Sequence, residues 1–219
     1  MHTSHSPRLQ TLITVACLLV MSLTVLASCN QINNKVVYVH VRVAGQEFWV
    51  PRQYFLRVFP RSFDERSIGI HLIYPEFEPL SPNAGKVRKR ERWFDRVSIL
   101  VIEKAEKETP ERKLQWTKDF FRITEKMDDK YGLTYLAPLP LTGEEELYVL
   151  KNTPNISFIR CSRDNSVPNP QCKVEYWDGP LNIEIGFDKD YLPDWKNIMD
   201  RSLDLINSFK QNPTMKEEK

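Results

Sequence analysis

Between Leu147 and Phe187 the chain alternates apolar and polar residues in four short runs, and the connections are short enough to favour antiparallel neighbours. The runs cover about Leu147–Leu150, Ile156–Cys161, Cys172–Trp177 and Leu181–Phe187. They are separated by an Asn-Thr-Pro-Asn turn, the segment between the two cysteines, and an Asp-Gly-Pro turn. In the last run Leu181, Ile183, Ile185 and Phe187 are predicted to face the core, and Asn182, Glu184 and Asp188 to face out. From about Pro193 to Lys210, Trp195, Ile198, Met199, Leu205, Ile206 and Phe209 share one stripe at three-four spacing. That stripe needs a sheet face to cover. The expected class is α+β, with antiparallel sheet and a C-terminal helix packed on the meander.

The upstream half carries the same signals more sparsely. Val36 to Val43 alternates, with Val37, Val39, Val41 and Val43 on one face, and Glu47 to Pro51 returns as its hairpin partner after Ala44-Gly45-Gln46. Ser67 to Tyr74 gives a further strand, with Ile68, Ile70, Leu72 and Tyr74 on one face, broken by Pro75, Pro79 and Pro82. Val97 to Ile102 is apolar on both faces, which suits a central strand covered on each side. Thr109-Pro110-Glu111 opens a helix with threonine as cap. Its end is expected near Lys130-Tyr131-Gly132, where glycine can take the left-handed cap conformation.

The first ten residues hold Arg8 and no acid, and Thr11 to Ser28 runs without a charge. This is the secretory pattern of a positive region, an apolar region and small residues at a cleavage point. Eighteen such residues also sit at the lower limit for an uncleaved anchor. The tetrapeptide Leu26-Ala27-Ser28-Cys29 resembles the lipobox of bacterial lipoproteins. The resemblance implies a signal peptide over 1–28, acylation of Cys29 with two or three chains, and a tether over 29–35. Two or more acyl chains hold a protein stably on a bilayer. Asn30 after the cysteine implies, by the same similarity, an outer-membrane lipid anchor with the domain facing the periplasm.

Of four cysteines, Cys17 falls in the leader and Cys29 is the lipid site, which leaves Cys161 and Cys172 as an even pair. In an oxidising compartment such a pair is most simply a disulfide, and closing a loop of this length is worth about 3 kcal/mol. Residues 36–211 suffice for a single domain, or two lobes over about 36–140 and 141–211, followed by a polar tail over 212–219. Charged residues make up 27% with a net charge of only +2, so bulk electrostatics select no nucleic-acid partner.

No motif for a cofactor, a metal or a catalytic nucleophile occurs in the sequence. His40 and His71 each lie on a strand without an evident proton-relay partner. Asp128-Asp129 and Glu144-Glu145-Glu146 read as solvated surface, since adjacent acids repel and do not oppose one another across a cleft. Two interaction candidates remain. One is the basic run containing Lys86, Arg88, Lys89, Arg90 and Arg92, suited to an acidic partner or to lipid phosphates, or simply an exposed solubilising face. The other is the cross-linked 161–172 loop with Arg163 and Asp164, where two prolines and a bridge cut the entropy lost on binding. Its bridge could equally just staple the meander. Trp177 supports such a surface if exposed, or covers the second face of the sheet under a helix.

The lipobox, the Val-Ala-Gly-x-x-Phe-x-Val-Pro segment at 43–51, and Cys-x10-Cys followed by Tyr191-Leu-x-x-Trp195 together resemble immunity lipoproteins of interbacterial toxin systems. That resemblance implies tight recognition of a periplasmic protein partner without turnover. The other readings are a structural or assembly lipoprotein of the envelope, and a glycan-active hydrolase built on two carboxylates.

Overall fold

The computed structural model describes residues 36–55, 67–80, 95–120, 125–137, 145–150 and 155–213. The leader, Cys29 and the tether lie outside these residues, as do Lys86, Arg88, Lys89, Arg90 and Arg92 of the basic run. No helix among the described residues is long and apolar enough to cross a membrane.

Strands β1 (Tyr38–Val43) and β2 (Gln46–Pro51) form the expected hairpin, with Val41 opposite Phe48. Ala44 (φ 49°) and Gly45 (φ 78°) supply its turn, both with the positive φ that a tight two-residue hairpin demands. The remaining strands are β3 (Ser67–Ile73), β4 (Glu78–Pro79), β5 (Arg96–Glu103), β6 (Glu125–Lys130), β7 (Leu133–Ala137), β8 (Glu145–Val149), β9 (Ile156–Ser162), β10 (Gln171–Asp178) and β11 (Leu181–Asp188). They form one antiparallel sheet in the order β4-β3-β5-β11-β10-β9-β8-β7-β6. Helix α1 (Pro110–Phe120) lies between β5 and β6 in the chain, and α2 (Trp195–Phe209) closes it. After β5 the chain passes through α1 to the far edge of the sheet. It then returns strand by strand until β11 pairs with β5.

Period-two alternation decides which side chains meet. On one face Ile68, Ile70 and Leu72, Val97, Ile99 and Val101, and Leu181, Ile183, Ile185 and Phe187 are buried. Val43, Phe48 and Val50 of the hairpin join the same core, as do Ile198, Ile206 and Phe209 of α2. The helix stripe thus found its sheet. Arg201 of α2 donates to the carbonyls of Pro75 (2.5 Å) and Glu76 (3.0 Å), and Tyr191 donates to Asp95 at 2.5 Å, fastening the C-terminal elements to β3 and β5.

Three expectations need correction. The helix opened by Thr109 is capped as expected, its hydroxyl accepting from the Arg112 amide at 3.2 Å, but it stops at Phe120. Residues 125–130 are strand β6, and Tyr131 (φ 57°) with Gly132 (φ 75°) turn a β6–β7 hairpin instead of capping a helix. Strand β5 is central, yet Leu100 on its second face is exposed, because α1 packs toward β9. Asn182 and Asp188, both expected to face out, are buried, Asn182 beside Trp177, its cross-strand partner.

Candidate partner-binding surfaces

Cys161 and Cys172 are directly opposite one another on β9 and β10, both fully buried, and they form the disulfide. The bridge therefore sits in the core at the root of the 163–170 loop. Above it the chain folds on itself, with the Ser166 amide (3.1 Å) and hydroxyl (2.7 Å) both donating to the Arg163 carbonyl across a left-handed Asn165 (φ 64°). The far end of the loop is held where the Lys189 amide donates to the Pro170 carbonyl at 3.0 Å.

Lys189 also grips the loop through its side chain. It follows β11, where the chain turns at Asp188, whose carboxylate accepts from the Asp190 amide at 3.0 Å. The Lys189 ammonium is 11% exposed and lies 2.7 Å from Glu146 and 2.8 Å from Asp164. Burial alone would lower its pKa, but the two carboxylates outweigh it and the net shift is upward. Tyr148 donates to Glu146 at 2.9 Å, and the ring of Tyr135 lies 5.1 Å from that of Tyr148. Burial and the neighbouring Glu146 both push the Tyr148 hydroxyl well above the usual tyrosine range, so it stays protonated and remains a donor. Glu145 pairs with Arg160 at 3.5 Å. The acidic run read as solvated surface is thus, at Glu145 and Glu146, a set of ion-pair partners for the meander.

These contacts leave a rigid tip. Asp164 is 75% exposed although one of its oxygens faces Lys189, and Asn165, Val167, Pro168 and Asn169 are exposed beside it. Arg163 is half-buried at the start of the same loop. Trp177 is not part of this surface. It is 5% exposed at the other end of β10, with the Lys104 ammonium 6.0 Å from its ring centre.

The far face of the sheet is covered by α1. Leu114 packs on Leu136, Leu147 and Phe158, Thr117 is buried, and Lys113 bridges Glu108 (2.9 Å) and Glu175 (3.6 Å). Burial works against the Lys113 charge, but its carboxylate partners prevail and raise its pKa. On the outer side of the same helix Trp116 and Phe120 stack at 5.3 Å and are 59% and 63% exposed. Their four-residue spacing, out of phase with Leu114 and Thr117, was the available signal.

Both histidines have partners within the fold, and His40 Nε2 lies 3.8 Å from Glu47. His40 stacks on Trp49 at 5.0 Å on the exposed side of the hairpin. His71 is half-buried, with its Nε2 3.3 Å from an Arg96 guanidinium nitrogen, and since arginine can only donate, Nε2 accepts and the ring is neutral. Burial first, and the Arg96 charge second, lower its pKa to about 4. The unfolded chain takes up that proton near pH 6.5 while the fold does not, so stability should fall as pH drops from about 6.5 toward 4. Urea titrations at pH 7 and pH 5 should show this, with a shallower fall for His71→Gln; equal falls would exclude His71 as the source.

No protein-family model and no curated protein matches the chain in sequence. Among solved structures the chain is similar to Smlt3025, an immunity protein of the Stenotrophomonas maltophilia type IV secretion system. The identity is 15%, the TM-score 0.59, and the match covers 79% of this chain and 93% of that one. It is also similar to the Neisseria meningitidis iron-regulated outer membrane lipoprotein FrpD, with 14% identity, a TM-score of 0.52, and coverage of 80% and 93%. At these identities the likeness is one of fold.

Proposed function

We propose that this chain is a lipid-anchored envelope protein that binds a periplasmic protein partner, and that it serves as an immunity protein neutralising a toxin. The observation that carries the binding role is the 163–170 loop, cross-linked at its root and held through Lys189 at both Asp164 and Pro170. A loop fixed before binding loses little entropy on docking, which favours tight recognition. The two structural neighbours, one described as an immunity protein and one as an outer membrane lipoprotein, share its fold and fit this reading. Anchoring through Cys29 at the outer membrane rests on the Leu26–Cys29 pattern.

Deletion of the gene from cells grown among toxin-producing siblings tests the role. Loss of viability restored by the wild-type chain is the expected result. Full survival, with a permeability or shape defect instead, would favour a structural envelope role and reject immunity.

A further inference from the structure

The outer side of α1 exposes aromatic surface at Trp116 and Phe120. Trp116 and Phe120 stack there, and beside Trp116 a depression of about 450 Å³ opens between the 105–108 turn and the start of the helix. It is lined by Ala105, Lys107, Glu108, Arg112, Lys113 and Trp116. Lys113 serves both Glu108 and the underlying Glu175, so the carboxylates here are already engaged. Arg112 donates to the Lys107 carbonyl at 3.2 Å, which sets its guanidinium over the turn next to the exposed Lys107. Glu106 and Glu111, although adjacent in sequence, are not among the lining residues. The result is an apolar hollow with an aromatic wall and a positive rim.

We infer that this depression receives an apolar side chain of a protein partner whose neighbouring carboxylate pairs with Lys107 and Arg112. Tryptophan and arginine are the residues most often found at the energetic centres of protein interfaces, and charge complementarity at the rim steers and orients the approach. The surface is separate from the disulfide loop. Helix α1 reaches β10 through Glu175, toward the Asp178 end of that strand, while the loop leaves β10 at Gln171. A chain with both surfaces can grip one partner at two places or hold two partners.

Selection of random dodecapeptides displayed on phage against the full-length chain in detergent tests this directly. Enriched sequences should carry an aromatic or aliphatic residue beside aspartate or glutamate. A synthetic peptide of that sequence should bind at least about tenfold more weakly to Trp116→Ala/Phe120→Ala. Lys107→Gln/Arg112→Gln, which leaves the apolar wall intact, should flatten the salt dependence of binding. Asp164→Ala should bind the peptide as wild type does, which separates this surface from the loop. No enrichment, enriched sequences lacking the apolar–acidic pairing, or equal binding by the Trp116/Phe120 variant would overturn the inference. So would quenching by brominated lipid of vesicle-reconstituted protein that disappears in Trp116→Phe, because it would place this face on the membrane.

Discussion

Replacing Phe48 with alanine is expected to destabilise the domain by about 4 kcal/mol, the range for deleting a buried aromatic ring from a packed core. Phe48 is fully buried and belongs to the core that also holds Ile198, Ile206 and Phe209 of α2. The ring therefore joins a two-stranded hairpin, which two strands alone would not stabilise, to the rest of the fold. In a domain of this size such a loss lowers the melting temperature by about 10 °C. Arg42→Ala on the exposed side of the same hairpin removes a surface ion pair with Glu47 and should change stability by less than about 1 kcal/mol. Calorimetry of the two variants checks this. Similar small effects from both would mean that the hairpin is not packed through Phe48.

Lys189→Met should cost about 3 kcal/mol for a different reason. The substitution keeps the volume but takes the ammonium from the half-buried Glu146, whose carboxylate still accepts from Tyr148, and an uncompensated buried charge is far more costly than a lost surface pair. Since the Lys189 pKa is raised in the fold, its contribution is complete below the unfolded value near 10.5 and is lost as pH rises through the folded value. The wild-type advantage over Lys189→Met should accordingly be full at pH 8 and shrink above pH 10.5. Pairing the change with Glu146→Leu should restore much of the stability, because the unmatched carboxylate is then gone. Denaturant titrations of the three chains measure this. A single variant as stable as wild type would show that the ammonium does not hold the loop.

How much of this was legible beforehand depended on the range of the forces involved. Strict alternation across Leu181–Phe187 and the Trp195–Phe209 stripe are local patterns with one solution each, and both elements formed within a few residues of their expected limits. The Cys161–Cys172 bridge was legible by counting, and it also places β9 against β10. Residues 125–130 were misassigned because Glu-Lys-Met-Asp-Asp-Lys has weak strand propensity, and it is the Tyr131-Gly132 turn and pairing with β7 that make it a strand. Parity placed Trp177 on the second face but could not show that α1 crosses that face. The same crossing turned Trp116 and Phe120 outward. Lys189, from outside every motif, meets Glu146 and Asp164 only after the meander is assembled, so its role in the loop lay beyond sequence reasoning.

The pre-organised loop as a recognition surface is tested most directly with the envelope protein that the full-length chain captures, titrated calorimetrically against wild type and Val167→Ser/Asn169→Ala. Both substituted side chains are exposed at the tip, so the melting temperature should stay within about 2 °C of wild type. Affinity should fall by about a hundredfold, as expected when central contacts of a rigid loop are removed. Unchanged affinity at unchanged stability would contradict the claim that this loop reads the partner.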